Sequence, residues 1–256
     1  MKNKLFAVLG TLILWSIFYA PSVSAFDVGA QAEYWIPAFD GDLRVDNNGI
    51  VGTEVNLKDD LGVDNENLPG VKAYFGIGNH EISIAYSRIE FSGAKKINRN
   101  IIFNGDEYAR HSYVESNLNT NMIDFEYQYK FLNLENILAG FSLGLIGKIK
   151  YLDGDVSLRS SAHDNKENIR VPIPMIGLGI NIGILADILE ARAKLVGFGY
   201  DDNISYDAVA DISLTPFPFL DIHGGYRIMS IKIDDVNDLS TKMDFYGPYA
   251  GLSISF

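Results

Sequence analysis

The residues best suited to chemistry in this chain are its few histidines and the carboxylates beside them. Asp221-Ile222-His223 sets a carboxylate and an imidazole two apart, so on an extended strand both project from one face. Such a pair is a general-base arrangement wherever a substrate can reach it. His163-Asp164 and the paired carboxylates Asp201-Asp202 are further candidates, each in a stretch that reads as a loop. A longer polar segment carries Asp40, Asp42, Asp46, Asp59, Asp60 and Asp64, hard oxygen ligands of the kind that Ca²⁺ or Mg²⁺ takes. Their spacing is not that of an EF-hand, and solvated acidic loops are the plainer expectation. Gly177-Leu178-Gly179 and Gly197-Phe198-Gly199 are followed by no helix, so they read as strand glycines and not as phosphate loops. The absence of cysteine removes disulfides and thiolate metal sites, and a net charge of −12 argues against nucleic acid as a partner.

What must position these groups is a series of strands. Apolar and polar residues alternate with period two through most of the chain after residue 25. Val28, Ala30, Ala32, Tyr34 and Ile36 share one face of the first strand, with Gln31, Glu33 and Trp35 on the other. Comparable rows begin at Val71, Ile82, Ile123, Ala139, Ile176, Leu189, Tyr206 and Leu220, and the last runs from Tyr246 to Phe256. The row from Ile82 loses its phase near Arg88. Long polar links are expected at Pro37–Pro69, Ser92–Ser116, Asp153–Asn168 and Asp234–Ser240, and tight turns between them.

The expected fold is all-β: a transmembrane antiparallel up-and-down barrel of about ten strands, with eight or twelve as alternatives. A soluble sandwich also alternates, but its apolar face hides in a core. Here the apolar rows carry aromatics near their ends and the last row finishes on Phe256. Lys2 and Lys4 precede an apolar stretch from Leu5 to Ala20, and Val23-Ser24-Ala25 has the small residues of a cleavage site. Residues 1–25 are therefore expected to be a removed signal peptide and 26–256 the barrel. Long links alternating with short ones put both termini of a monomeric barrel in the periplasm.

The inward rows hold charges of both signs, which must pair or be solvated. With turns centred near Asp202-Asn203 and on Phe217, Lys194 lies across from Asp211, Asp211 from His223, and Asp207 from Arg227. The expectation is a luminal charge network of Lys194, Asp207, Asp211, His223 and Arg227 that obstructs a wide channel. Pro172 and Pro174 each delete a ladder bond on the same seam and are expected where their strand enters its loop, above the lipid.

The last strand, the leader and the segment Asn56-Leu57-Lys58-Asp59-Asp60-Leu61-Gly62-Val63 resemble small Gram-negative outer-membrane β-barrel proteins, with OmpW-like and opacity-type barrels akin in shape. The resemblance implies insertion through a terminal-strand signal, here Tyr246, Leu252, Ile254 and Phe256, read by periplasmic chaperones and the barrel-assembly machinery. It implies outer-membrane lipids and lipopolysaccharide as surroundings, and it carries no catalytic residue across. An omptin-type surface protease is also a ten-stranded barrel, with Asp/His and paired Asp at its outer rim, but Asp221 and His223 fall at the periplasmic end. The expectation is a non-enzymatic structural or surface-interacting barrel without cofactor or metal. A narrow passive channel for small solutes is the alternative, and a protease or lipid A-modifying enzyme a minor one.

Overall fold

A computed structural model describes residues 26–134, 140–185, 188–236 and 238–256. The expected signal peptide, residues 1–25, and the expected strand start at Ala139 lie outside the described residues. The strands in chain order are β1 (Phe26–Trp35), β2 (Ala38–Val45), β3 (Val55–Asn56), β4 (Leu68–Ile77), β5 (His80–Lys96), β6 (Ile101–Phe103), β7 (Asp106–Tyr108), β8 (Tyr113–Leu134), β9 (Phe141–Arg159), β10 (Asp164–Leu185), β11 (Leu189–Tyr200), β12 (Asn203–Phe217), β13 (Leu220–Val236) and β14 (Leu239–Ser255).

Each main strand pairs antiparallel with its neighbours, and β14 returns to β1 to close the sheet. β1 and β2 are one staved run interrupted at Ile36-Pro37, because proline has no N–H with which to continue the ladder. β14 pairs with both pieces, Glu33↔Gly251 below and Asp42↔Lys242 above. β3 adds a two-residue patch to β2, and β6 and β7 form a separate hairpin. The wall is thus a closed barrel of ten strands, as the alternation predicts. Closure leaves no edge in hydrocarbon, which is what lets strands cross a membrane.

The barrel has two storeys, and β5 shows why. Its register against β8 runs without a shift from His80↔Tyr129 to Lys96↔Tyr113, so parity never changes along it. Outward positions read Ile82, Ile84 and Tyr86, then Arg88, Glu90 and Ser92. Inward positions read Glu81, Ser83, Ala85 and Ser87, then Ile89 and Phe91, the last two fully buried. The loss of phase at Arg88 is the strand leaving the lipid. Below that level apolar residues face out and polar residues in; above it the pattern inverts. β8 does the same: Tyr127, Phe125 and Ile123 give way outward to Asn121, Asn119 and Asn117, while Met122, Leu118 and Val114 become the buried side.

The lower storey carries an exposed apolar belt with Tyr34, Tyr86, Tyr206, Tyr226 and Tyr246 along its upper rim and Phe75, Phe131, Phe217, Phe219 and Phe256 along its lower. The ten steps from Tyr246 to Phe256 span about 33 Å along a strand, or about 25 Å along the normal at a 40° tilt, the height of an aromatic-girdled lipid band. β8 and β10 have 22 residues each, about twice what a crossing strand needs, so the wall continues well past the lipid.

The upper storey is a protein-like core. Leu43, Val45, Leu118, Val156, Ile169, Ile231 and Phe245 point into it from the wall, all buried. The segment between β2 and β4 fills it from within. Asn56 Oδ1 accepts from the N–H groups of Lys58 (3.1 Å) and Asp59 (2.9 Å), Asp60 Oδ2 accepts from the Asn56 N–H (3.1 Å), and Gly62, at φ +73°, donates to the Lys58 carbonyl (3.0 Å). This tight coil turns Leu57, Leu61 and Val63 inward to burial. Val63 bridges Gly93 of β5, where an added Cβ would sit 2.6 Å from the Leu61 carbonyl oxygen. The motif 56–63 is thus an internal plug. Arg99 fastens it, reaching Asp60 (2.5 Å) and the Glu54 carbonyl (2.8 Å). β6 and β7 lie over it, with Ile101, Phe103 and Tyr108 buried.

Several expected loops are therefore wall. Parts of Pro37–Pro69 and Ser92–Ser116, and most of the described residues of Asp153–Asn168 and Asp234–Ser240, are strand. Above the lipid an outward row of Asp, Asn and Lys looks like a loop unless its buried inward partners are read with it. Pro172 and Pro174 are likewise not at a loop entry: β10 continues eight residues above Pro172, to Asp164.

Candidate functional site

The interior of the lower storey is the place where chemistry-bearing side chains gather. It has three layers. At the end where β1 begins and β14 finishes is an open polar cavity of about 460 Å³, lined among others by Asp27, Gln31, Lys72, Glu81, Lys194 and Asp221.

Above it lies a layer of ion pairs. Arg227 donates twice to Asp207, Nε to Oδ1 at 2.9 Å and Nη2 to Oδ2 at 2.8 Å. Lys148 stands between three carboxylates, 3.1 Å from Asp124, 3.2 Å from Asp207 and 3.6 Å from Glu126. Lys150, fully buried, donates to both oxygens of Asp124 at 2.9 Å. Lys194 pairs with Glu126 (2.7 Å), and Arg192 with Asp211 (2.7 Å), which also accepts from the Tyr249 hydroxyl. Charges this deep are tolerable because each has an opposite partner within hydrogen-bond reach.

The third layer is aromatic. The Arg227 guanidinium lies 4.8 Å from the centre of the Trp35 ring, whose Nε1 donates to the Gly247 carbonyl (3.1 Å). Trp35 meets Phe245 (6.0 Å), Phe245 meets Phe39 (5.0 Å), and Phe39 stacks on Phe91 (4.4 Å). All four rings are at most 2% exposed. β4 stops at Leu68, so Phe91 of β5 and Phe39 of β2 meet directly where no strand separates them. Above the polar cavity thus come a buried aromatic cluster and then the plug.

The five residues expected to form a luminal network all face the lumen. Asp207 and Arg227 are brought together. Lys194 and Asp211 are not, and neither are Asp211 and His223 as a hydrogen-bonded pair. The β11–β12 turn sets Tyr200 against Asn203, so Arg192, not Lys194, lies across from Asp211. The ladder from β12 to β13 shifts between Leu214 and Phe217, so Arg227 lies across from Val209 and reaches Asp207 diagonally, and Ser213 lies across from His223. His223 instead faces Gln31 (3.0 Å) and Ser253 (3.4 Å), and Asp221 accepts from the Thr215 hydroxyl (2.5 Å), so Asp221 and His223 do not act as a pair. Trp35 and Tyr249 were missed as functional residues, although each is an aromatic in an otherwise polar inward row, which is the signal that marks them.

At the loop end, Asp40 and Asp42 accept from Asn56 Nδ2 (3.2 and 3.0 Å) and Asp46 accepts from the Gly52 N–H (2.7 Å), so these carboxylates fasten the plug. Among the described residues no cluster of His, Asp and Glu is arranged to hold a metal. His163 lies 3.6 Å from Asp106, a contact between the β9–β10 turn and the β6–β7 hairpin. Nearby, Tyr108 donates to the Leu158 carbonyl (2.6 Å), and burial pushes its hydroxyl up to about 12.

No family model matches the chain, and no curated protein matches it. Among solved structures it is similar to the outer membrane protease OmpT of Escherichia coli, with TM-score 0.60 and 12% identity over 92% of this chain and 99% of that one. Neisserial surface protein A aligns over 92% of this chain and 100% of its own at 14% identity and TM-score 0.37. The transport unit of the E. coli autotransporter AIDA-I aligns over 94% of each chain at 11% identity and TM-score 0.42. The likeness to OmpT is one of fold: the chain is an outer-membrane-type β-barrel.

Proposed function

We propose that this protein is a sealed, non-enzymatic barrel of the outer membrane, its termini in the periplasm and its upper storey raised above the lipid as a structural or surface-interacting body. One observation carries the reading: the fully buried Trp35, Phe39, Phe91 and Phe245 stand directly over a paired charge layer, which supports a lumen without a continuous water path. Ions cross a pore through water or through a ring of exposed polar groups, and this interior offers neither at the aromatic level.

Planar-bilayer recording tests it. The wild-type protein should be electrically silent, and steady conductance steps would establish the narrow-channel alternative instead. The enzymatic alternative has its own test, since His163 and Asp106 at the loop end are the pair a hydrolase would use. Turnover of peptide or lipid A by the folded protein, abolished in His163→Ala, would overturn the non-enzymatic reading. The similarity to OmpT supports the membrane placement through fold and says nothing of proteolysis.

A further inference from the structure

One seam of the wall stops short. β10 and β11 pair from Leu185↔Leu189 up to Ile176↔Gly197, although β11 continues through Phe198, Gly199 and Tyr200. Extending that register by two residues would set Pro174 against Gly199. On its other side β10 stays in ladder with β9 straight through Pro174↔Ile149 and Pro172↔Tyr151. Alternate amides of a strand point to opposite neighbours, so the two missing N–H groups are those that would have faced β11. The seam is left unzipped by its sequence.

The slot opens at the upper rim of the lipid-facing belt, beside Tyr206, which lies across from Gly197. Ile149, Ile176 and Ile204, all exposed, surround it on the outside. Behind it the interior is apolar: Ile173 and Met175 are buried, and Phe198 is partly buried against the same core. Gly199 adds no side chain, and a Cβ built there would meet nothing within 4 Å. A strand from another molecule is a poor occupant, because the prolines deny it the donors that a ladder needs. The proline carbonyls and the Gly199 amide remain at the rim, within reach of lipid headgroups, while Ile149 and Ile176 outside and Ile173, Met175 and Phe198 behind offer a hydrocarbon chain apolar contact on both sides.

We propose that the slot between Pro172–Pro174 and Gly197–Gly199 is a lipid site, in which one acyl chain of a membrane lipid lies against Phe198 and completes the wall. The site rests on the membrane placement proposed above and is independent of whether the lumen conducts.

The mature protein folded into phosphatidylcholine liposomes, with plain or brominated acyl chains, provides the test. Phe198→Trp reports from behind the slot. Ile146→Trp reports from one inward step lower behind unbroken wall, since Ile146 faces inward and lies across from Gly177, itself across from Val196, two residues before Phe198. Met122→Trp replaces it if that variant does not fold. Native Trp35 gives a common background. Brominated chains should quench the added emission of Phe198→Trp at least twofold more than that of the control. Adding Pro172→Thr and Pro174→Thr, which restores the donors, should remove the difference. Equal quenching in both reporters, or quenching of Phe198→Trp by aqueous iodide in place of bromolipid, would overturn the site. Failure of the wild-type protein itself to float with liposomes would sink the membrane placement and the site with it.

Discussion

Arg227 is where the lumen's two kinds of interaction converge, a fork of hydrogen bonds to Asp207 and a ring face offered by Trp35. Arg227→Ala should leave Asp207, 2% exposed, without its best partner. Breaking a buried pair destabilises by about 3–5 kcal/mol, and here the lower end applies because Lys148 (3.2 Å) and Lys150 (3.6 Å) still reach Asp207. Urea unfolding in detergent reads the effect, and an unchanged midpoint would mean that the lysines suffice. Strand parity alone placed all five candidate residues inside the lumen. It could not say which touches which, because a turn displaced by one residue moves every cross-strand partner by two, and diagonal reach then selects among neighbours. Tyr108 allows a separate check. Its hydroxyl is raised from 10 to about 12 by burial, so the neutral form is favoured in the folded state. The stabilisation it gives the β6–β7 hairpin should be complete below pH 10 and fade as pH rises towards 12. Limited proteolysis should find the hairpin opening over that window, and Tyr108→Phe should remove the pH dependence.

At the scale of elements, the plug between β2 and β4 is held by backbone fit as much as by side chains. Gly93→Val should drive a side chain into the Leu61 carbonyl, 2.6 Å from the first added carbon, and expel the coil of residues 56–63 from the upper storey. The ten-stranded wall should survive, so the expected readout is new protease sensitivity between Val45 and Leu68 with the membrane-protected fragment unchanged. Resistance equal to wild type would show that the coil does not depend on that approach. The motif was visible in the sequence as a distinctive segment, but its job was not. Leu57, Leu61 and Val63 are spaced neither for a strand nor for a regular helix, and only the Asn56 and Asp60 hydrogen bonds explain why the chain coils there. The prolines were legible as a broken seam, yet their height was misjudged, since a polar outward row above them looked like loop.

For the molecule as a whole, the outward face changes its solvent partway up each long strand. Ile84→Arg puts a charge in the lipid belt and should weaken folding into bilayers by about 2–4 kcal/mol, whereas Glu90→Arg, three outward positions higher, should be close to neutral. Equal penalties in liposome-folding titrations would contradict the two-storey reading. The membrane half was readable from alternation because lipid imposes one sign of pattern on every strand. The upper half was not, because it keeps the period and reverses the sign, and a reader who expects one solvent takes the reversal for irregularity. The reversal has a consequence for what substitutions the chain can absorb. Walk up any of the long strands and the freely replaceable positions should sit indoors around the polar cavity, vanish at the ion-pair layer, and reappear outdoors near the crown, above Arg88 and its counterparts. A saturation library scored for surface display would draw that crossover as a ring around the protein.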